Sequence, residues 1–165
     1  MVMQKTLVLI KPDGVQRALI GKILSRFEDA GLKIIAMKMS WIDKDFAEKH
    51  YWDVKQRYDQ RILDNLVRYI REGPVVAMVI EGVEAVAVVK KIVGATYPSE
   101  AAPGTIRGDF AHMSKAHANA DDGKVGNLIH ASAEKDAEHE ISLWFTKKEM
   151  HSYKTVHDWH ALNLK

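Results

Sequence analysis

The stretch Thr6-Leu-Val-Leu-Ile-Lys-Pro-Asp-Gly14 decides the architecture. Its apolar run, bounded by turn residues, reads as a buried strand from Thr6 to Lys11 that the Pro12-Asp13-Gly14 turn closes. Downstream, Ile20, Ile23, Leu24 and Phe27 fall at helical spacing, with Gly31 as a stop. Leu32 to Trp41 reads as a second strand, Ile34, Ala36 and Lys38 alternating against Ile35, Met37 and Met39. Asp43 is a good N-cap for a short helix reaching about Tyr51. Leu63, Leu66, Val67 and Ile70 share one face of a helix over 62–72, ended by Gly73. Val75 to Glu81 is a third strand. Val83 to Val93 fits either element: its valines favour a strand, while Val86, Val89 and Val93 suit a helix. Ala95 to Ile106, with two prolines and a glycine, reads as a long ordered loop, a kind of segment often functional. A short strand near Leu128 to His130 precedes a helix from about Ala133 to Trp144. The tail from about Thr146 is mixed, with Trp159 expected as its anchor. With 83–93 taken as a helix, the order strand, helix, strand, helices, strand, helix, strand describes an α+β fold: a split β-α-β unit of the ferredoxin-like type, a four-stranded antiparallel sheet covered by helices.

The length of 165 residues suits a single domain over 1–165, with an extended connection at 111–126 and the tail from about 146. A net charge of +2 argues against a general polyanion binder, although charge can still be concentrated locally. Cysteine is absent, so no disulfide holds the fold, which fits a reducing cytoplasmic location. No apolar run is long enough to cross a membrane, and the opening run is too short for a signal-peptide core.

Chemistry concentrates in three separated segments: Lys11-Pro-Asp-Gly-Val15, Pro103-Gly-Thr-Ile-Arg-Gly-Asp109 and Asn127-Leu-Ile-His-Ala-Ser132. They contribute one potential nucleophile, His130, and several phosphate-binding groups. A free imidazole is largely neutral near pH 7 and attacks phosphorus without a strong base. Taken alone, His130 would be a structural histidine and Lys11 a solvated surface charge; the two companion segments reverse that balance. No Walker loop is present. No histidine pair has convincing zinc spacing, since His112 and His117 stand five apart without further ligands.

With Gly73-Pro-Val-Val-Ala-Met78 added, these strings resemble those of nucleoside diphosphate kinases, in the same order, from about Thr6 to Trp159. The resemblance implies the same ferredoxin-like fold and a helix at Val83–Val93. It implies ping-pong transfer: a nucleoside triphosphate gives its γ-phosphoryl group to His130, and a different diphosphate takes it. By the same resemblance Lys11, Lys90 and Arg107 compensate phosphate charge, and Thr96 donates a hydroxyl to phosphate. Asn127 reaches the sugar 3′-hydroxyl, Tyr51 lies beside the histidine, and Glu140 orients the imidazole. Mg²⁺ is expected to arrive on the nucleotide phosphates, with no protein metal site. A homo-hexamer is expected, with a tetramer as the alternative.

The chain departs from the family pattern. Ala131 stands for the glycine after the histidine, and Ala133 for an aspartate associated with the metal or its water. Lys90 replaces an arginine, losing the bidentate fork but keeping the charge. Residues 56–60 carry an insertion, and Ile62 or Arg61 falls where an aromatic stacks on the base. The 111–126 connection is longer than usual; its alanines allow a short helix that Asp121-Asp-Gly123 would stop. The nucleophile, Lys11, Arg107 and Asn127 all remain, favouring an active enzyme with altered base contacts or metal support. A non-catalytic nucleotide-binding or assembly protein is disfavoured by the retained His130. Specific nucleic-acid binding through Lys90-Lys91 and Lys147-Lys148 is disfavoured because no aromatics interleave those pairs.

Overall fold

The computed structural model of the chain describes residues 3–119 and 126–161. β1 (Met3–Ile10) and β3 (Val75–Val83) form the centre of a four-stranded antiparallel sheet. β2 (Lys33–Ser40) and the three-residue β4 (Ile129–Ala131) form its edges, in the order β2-β3-β1-β4.

Both faces of the sheet are covered, which is why Leu7–Ile10 is apolar at every position rather than alternating. Leu7, Leu9, Ala77 and Val79 pack toward α3 (Lys44–His50), α5 (Gln60–Ile70) and α9 (Ala137–Trp144), through Ala47, Leu63, Val67, Ile70, Ile141 and Trp144. Val8, Ile10, Met78 and Ile80 pack toward α2 (Ile20–Glu28) and α6 (Ala85–Val93), through Ile23, Phe27, Val89 and Val93. Asp43 caps α3 as expected, its carboxylate accepting the Phe46 N–H at 2.8 Å; Asp59 caps α5 in the same way through the Ile62 N–H.

Short elements change several expectations. Pro12–Gln16 is a one-turn helix, α1, rather than a simple turn. α4 (Val54–Arg57) runs into the start of the inserted segment, and α5 begins at its last residue, Gln60. The 95–106 loop contains a 3-10 turn at Pro98–Glu100 and leads into α7 (Ile106–Phe110), capped by the Thr105 hydroxyl. α8 (Lys115–Asn119) is the short helix expected in the connection, while the expected stop at Asp121-Asp-Gly123 lies outside the described residues. Val83 belongs to β3; Glu84 turns the corner at φ 50° and α6 begins at Ala85. α9 begins at Ala137, four residues later than expected. A bulge between Ile34 and Ala36 interrupts the alternation of β2, burying Ile35 and Ala36 in succession. Beyond the bulge, Met37 and Met39 are exposed, as is Trp41 past the strand's end. Among the described residues no helix is long and apolar enough to cross a membrane.

The tail is anchored by Asp158, not by Trp159. Thr155 and Asp158 form a reciprocal capping box at the start of α10 (Val156–His160), and that box sets which face of the helix docks. Asp158 is 4% exposed and its carboxylate accepts from Lys33 Nζ at 3.3 Å. The same ammonium donates to the Tyr153 carbonyl and pairs with Glu81. Trp159, one residue on, is 52% exposed and meets the Lys154 ammonium 4.3 Å above its ring.

Gly31 lies at φ 76°, and a Cβ there would come within 2.8 Å of the His157 ring. Gly31→Ala is therefore expected to lose about 1–2 kcal/mol through left-handed strain alone. A thermal melt checks this: His157→Ala in the same background should relieve the contact and leave the torsional part of the loss.

Candidate active site

β1 and β4 set the site. Leu9 pairs with His130 across the sheet, so the histidine sits beside the end of the strand that leads to Lys11. Between them Leu128 is a non-glycine residue at φ 66°, a conformation that costs about 1–2 kcal/mol. Two bonds hold it there. The Asp13 carboxylate accepts the Leu128 N–H at 3.1 Å, and the Leu128 carbonyl accepts the Lys11 N–H at 2.8 Å. The kinked backbone lets both Asn127 and His130 reach one cleft of about 650 Å³.

All nine residues singled out in the sequence line that cleft: Lys11, Tyr51, Ile62, Lys90, Thr96, Arg107, Asn127, His130 and Glu140. Lys90 and Thr96 are exposed at its wall, and Ile62 is partly buried against the core. His130 Nε2 lies 2.8 Å from the Glu140 carboxylate, which also accepts the Ser132 hydroxyl. Burial alone would raise the Glu140 pKa, but the bond to His130, the neighbouring imidazoles and Ser132 bring it down to about 2. Glu140 is therefore an anion near neutral pH. It fixes a proton on Nε2 and leaves Nδ1 as the nitrogen with a free lone pair.

Lys11 is buried, and its ammonium donates to the Asn127 side-chain oxygen at 2.9 Å and lies 5.1 Å from the Tyr69 ring centroid. Burial, helped by Arg107 and opposed by Asp13, lowers its pKa to about 7. The Arg107 guanidinium is buried too and donates to four backbone carbonyls: Nε to Asn127, Nη1 to Gly94 and Ala95, and Nη2 to Ile129. Desolvation lowers its pKa to about 10. Four of its five N–H groups are engaged, which leaves one Nη2–H rather than a two-pronged fork for any ligand in the cleft. The Asn127 amide accepts from Lys11 and donates one N–H to the Thr96 carbonyl at 3.0 Å. The Tyr51 hydroxyl is buried without a hydrogen-bond partner among the described residues, and desolvation pushes its pKa up.

Three supporting residues escape a reading of sequence alone. Ser132 lies inside the quoted histidine run, but its bond to Glu140 needs the fold. Asp13 lies inside the first motif, yet its partner Leu128 is 115 residues away. His50 packs against both His130 and Trp144, and nothing local marks it. Among the described residues no group of three or more His, Cys, Asp or Glu is placed to hold a metal ion.

An imidazole tethered by a carboxylate, with a buried lysine at the end of a ferredoxin-like sheet, is suited to phosphoryl transfer. The nucleoside diphosphate kinase family matches residues 4–150. A nucleoside diphosphate kinase from Borreliella burgdorferi is 47% identical over 157 residues, covering 93% of this chain and 94% of the relative. One from Pyrococcus horikoshii is 51% identical over 158 residues, covering 94% of each. Among solved structures, the chain is similar to a transition-state mimic of the Borrelia burgdorferi enzyme with bound vanadate and ADP. That structure gives a TM-score of 0.92 at 45% identity, covering 96% of both chains. It is also similar to a halophilic enzyme from Halobacterium salinarum in complex with CDP, with a TM-score of 0.83 at 40% identity, covering 96% of this chain and 97% of that one. The chain belongs to the nucleoside diphosphate kinase family.

Because burial holds Lys11 near half-protonation at neutral pH, a polyanion entering the cleft should restore its charge. Nucleoside triphosphate binding at about pH 7.5 is expected to take up a fraction of a proton. Calorimetry in buffers of different ionisation enthalpy measures it, and Lys11→Met should abolish the uptake. Unchanged uptake in that variant would assign the proton to another group.

Proposed function

We propose that the nine residues of the cleft carry the family's reaction in this chain: transfer of a γ-phosphoryl group from a nucleoside triphosphate to a nucleoside diphosphate through a phosphohistidine on His130. The observation that carries the assignment is the Glu140–His130 bond, which leaves Nδ1 as the attacking atom. In the first half-reaction Nδ1 forms a bond to the γ-phosphorus as the bond to the β–γ bridging oxygen breaks, and the diphosphate leaves with the electron pair. The second half-reaction reverses this with a different diphosphate. Each is an in-line displacement, which needs positioning and compensation of charge rather than further covalent chemistry.

Lys11 and the free Nη2–H of Arg107 meet phosphate oxygens at the floor of the cleft; Lys90 and the Thr96 hydroxyl meet them at its wall. The second Nδ2–H of Asn127 reaches the sugar 3′-hydroxyl. Ile62 contacts the base by shape and apolar area, so preference among common bases should be modest. Mg²⁺ is part of the substrate, bound to its phosphates and lowering their charge. Of the carboxylates lining the cleft among the described residues, Glu140 is committed to His130 and Ser132 and Asp53 is paired with Arg57, so Asp136 is a lone further carboxylate, which fits an ion that brings most of its own ligands.

We further place the enzyme in the cytoplasm as a homo-oligomer, a hexamer in preference to a tetramer. Met37, Met39 and Trp41, at 54%, 57% and 70% exposed along or just beyond the edge strand β2, support self-association. Light scattering measures the state.

Incubation with γ-labelled ATP should yield a labelled protein that GDP discharges. His130→Ala should abolish labelling and leave nucleotide affinity nearly unchanged, since losing a nucleophile costs about a millionfold elsewhere. Activity above about a tenth of wild type in that variant would falsify the assignment.

A further inference from the structure

His50 closes α3 at 2% exposure, deep beneath the cleft. Its ring stands nearly perpendicular to that of His130, centroids 4.8 Å apart at 83°. On its other side Trp144 packs edge-on at 5.7 Å, and the indole Nε1–H donates to His50 Nδ1 at 3.3 Å. An indole nitrogen can only donate, so Nδ1 must accept, and the His50 proton resides on Nε2. That Nε2 has no hydrogen-bond partner among the described residues. A buried polar atom without a partner is costly.

We propose that His50 is a positioning residue: locked by Trp144 as the neutral Nε2–H tautomer, it fixes the plane of the His130 ring from which Nδ1 meets phosphorus. The proposal rests on His130 as the nucleophile. One bond to Glu140 fixes the direction of Nε2 but leaves the imidazole free to turn about that axis. A second ring set perpendicular to the first removes the remaining freedom. Neutrality is part of the device, because a cation 4.8 Å from the nucleophile ring would lower its basicity. Protonation at Nδ1 would set one N–H against the N–H of Trp144. Burial, then His130, with Lys11 beyond β1 and His139 on α9, disfavours a proton on His50, and only Glu140 favours it; the balance lowers its pKa to about 3.

Long-range ¹H–¹⁵N NMR of the wild-type chain from about pH 5.5 to 8.5 reads the tautomer directly. His50 should show a bare Nδ1 and a protonated Nε2 throughout. Titration of His50 in that range, or a proton on Nδ1, would overturn the proposal. In single-turnover labelling by ATP, His50→Ala should slow phosphorylation about ten- to a hundredfold while nucleotide affinity stays within about threefold. His50→Phe, which restores a ring, should recover most of the rate. A His50→Ala rate within about twofold of wild type, or affinity falling as much as rate, would also overturn it. Labelling that persists in His130→Ala would instead indict the nucleophile assignment. Should His50→Ala fail to fold, the NMR measurement stands alone.

Discussion

Four backbone carbonyl oxygens, those of Gly94, Ala95, Asn127 and Ile129, converge on the guanidinium of Arg107. These residues come from the end of α6, the loop after it and the strand that carries the nucleophile, so one side chain ties together three walls of the cleft. Buried carbonyls need partners, and a planar cation with five N–H groups is the side chain that can serve four at once. Without it, the carbonyls of the segment 127–129 would have to find new donors, and His130 would lose the register that sets it opposite Leu9. The arginine is thus a structural clamp, besides the phosphate ligand proposed above. Its charge is held inside the protein at the expense of a lowered pKa, as is the charge of Lys11 beside it.

Those two buried cations define the electrostatics of the empty cleft. Each is disfavoured by burial, and Lys11 is further disfavoured by Arg107. A nucleotide phosphate bound as proposed would compensate both. The carboxylates divide: Glu140 is turned toward His130 and Ser132, whereas Asp13, which accepts the Leu128 N–H, partly offsets the cost of burying both cations. On the nucleophile side the logic is the reverse. His50 stays neutral and Glu140 stays charged, so the imidazole is oriented by one anion and one uncharged ring.

Much of this was legible in the chain. Thr6–Ile10 announced a central strand because it must be apolar on both faces, and Asp43 announced its helix because capping is a local bond. The nine cleft residues came from resemblance joined to chemistry: Lys11 and His130 gained weight only from the motifs around them, while Glu140 would have passed for a surface glutamate among Glu134 and Glu138. One-turn helices such as α1 and α4 left no readable periodicity, since a single turn cannot show a repeat. Trp159 misled because size suggests burial, whereas a capping box at Thr155 and Asp158 decided which residue faces the sheet. His50 was invisible for a different reason: its partners Trp144 and His130 lie 94 and 80 residues away, and only the fold, which sets α3 beside both α9 and β4, brings them together.

The central claim is that the Glu140 carboxylate, by holding Nε2, selects Nδ1 of His130 as the atom that takes the phosphoryl group. The most direct measurement is ³¹P and ¹⁵N NMR of the chain phosphorylated by ATP in the absence of acceptor diphosphate. A single phosphorus signal coupled to Nδ1 of His130 is the result expected. Phosphate on Nε2, or on any residue other than His130, would contradict the account.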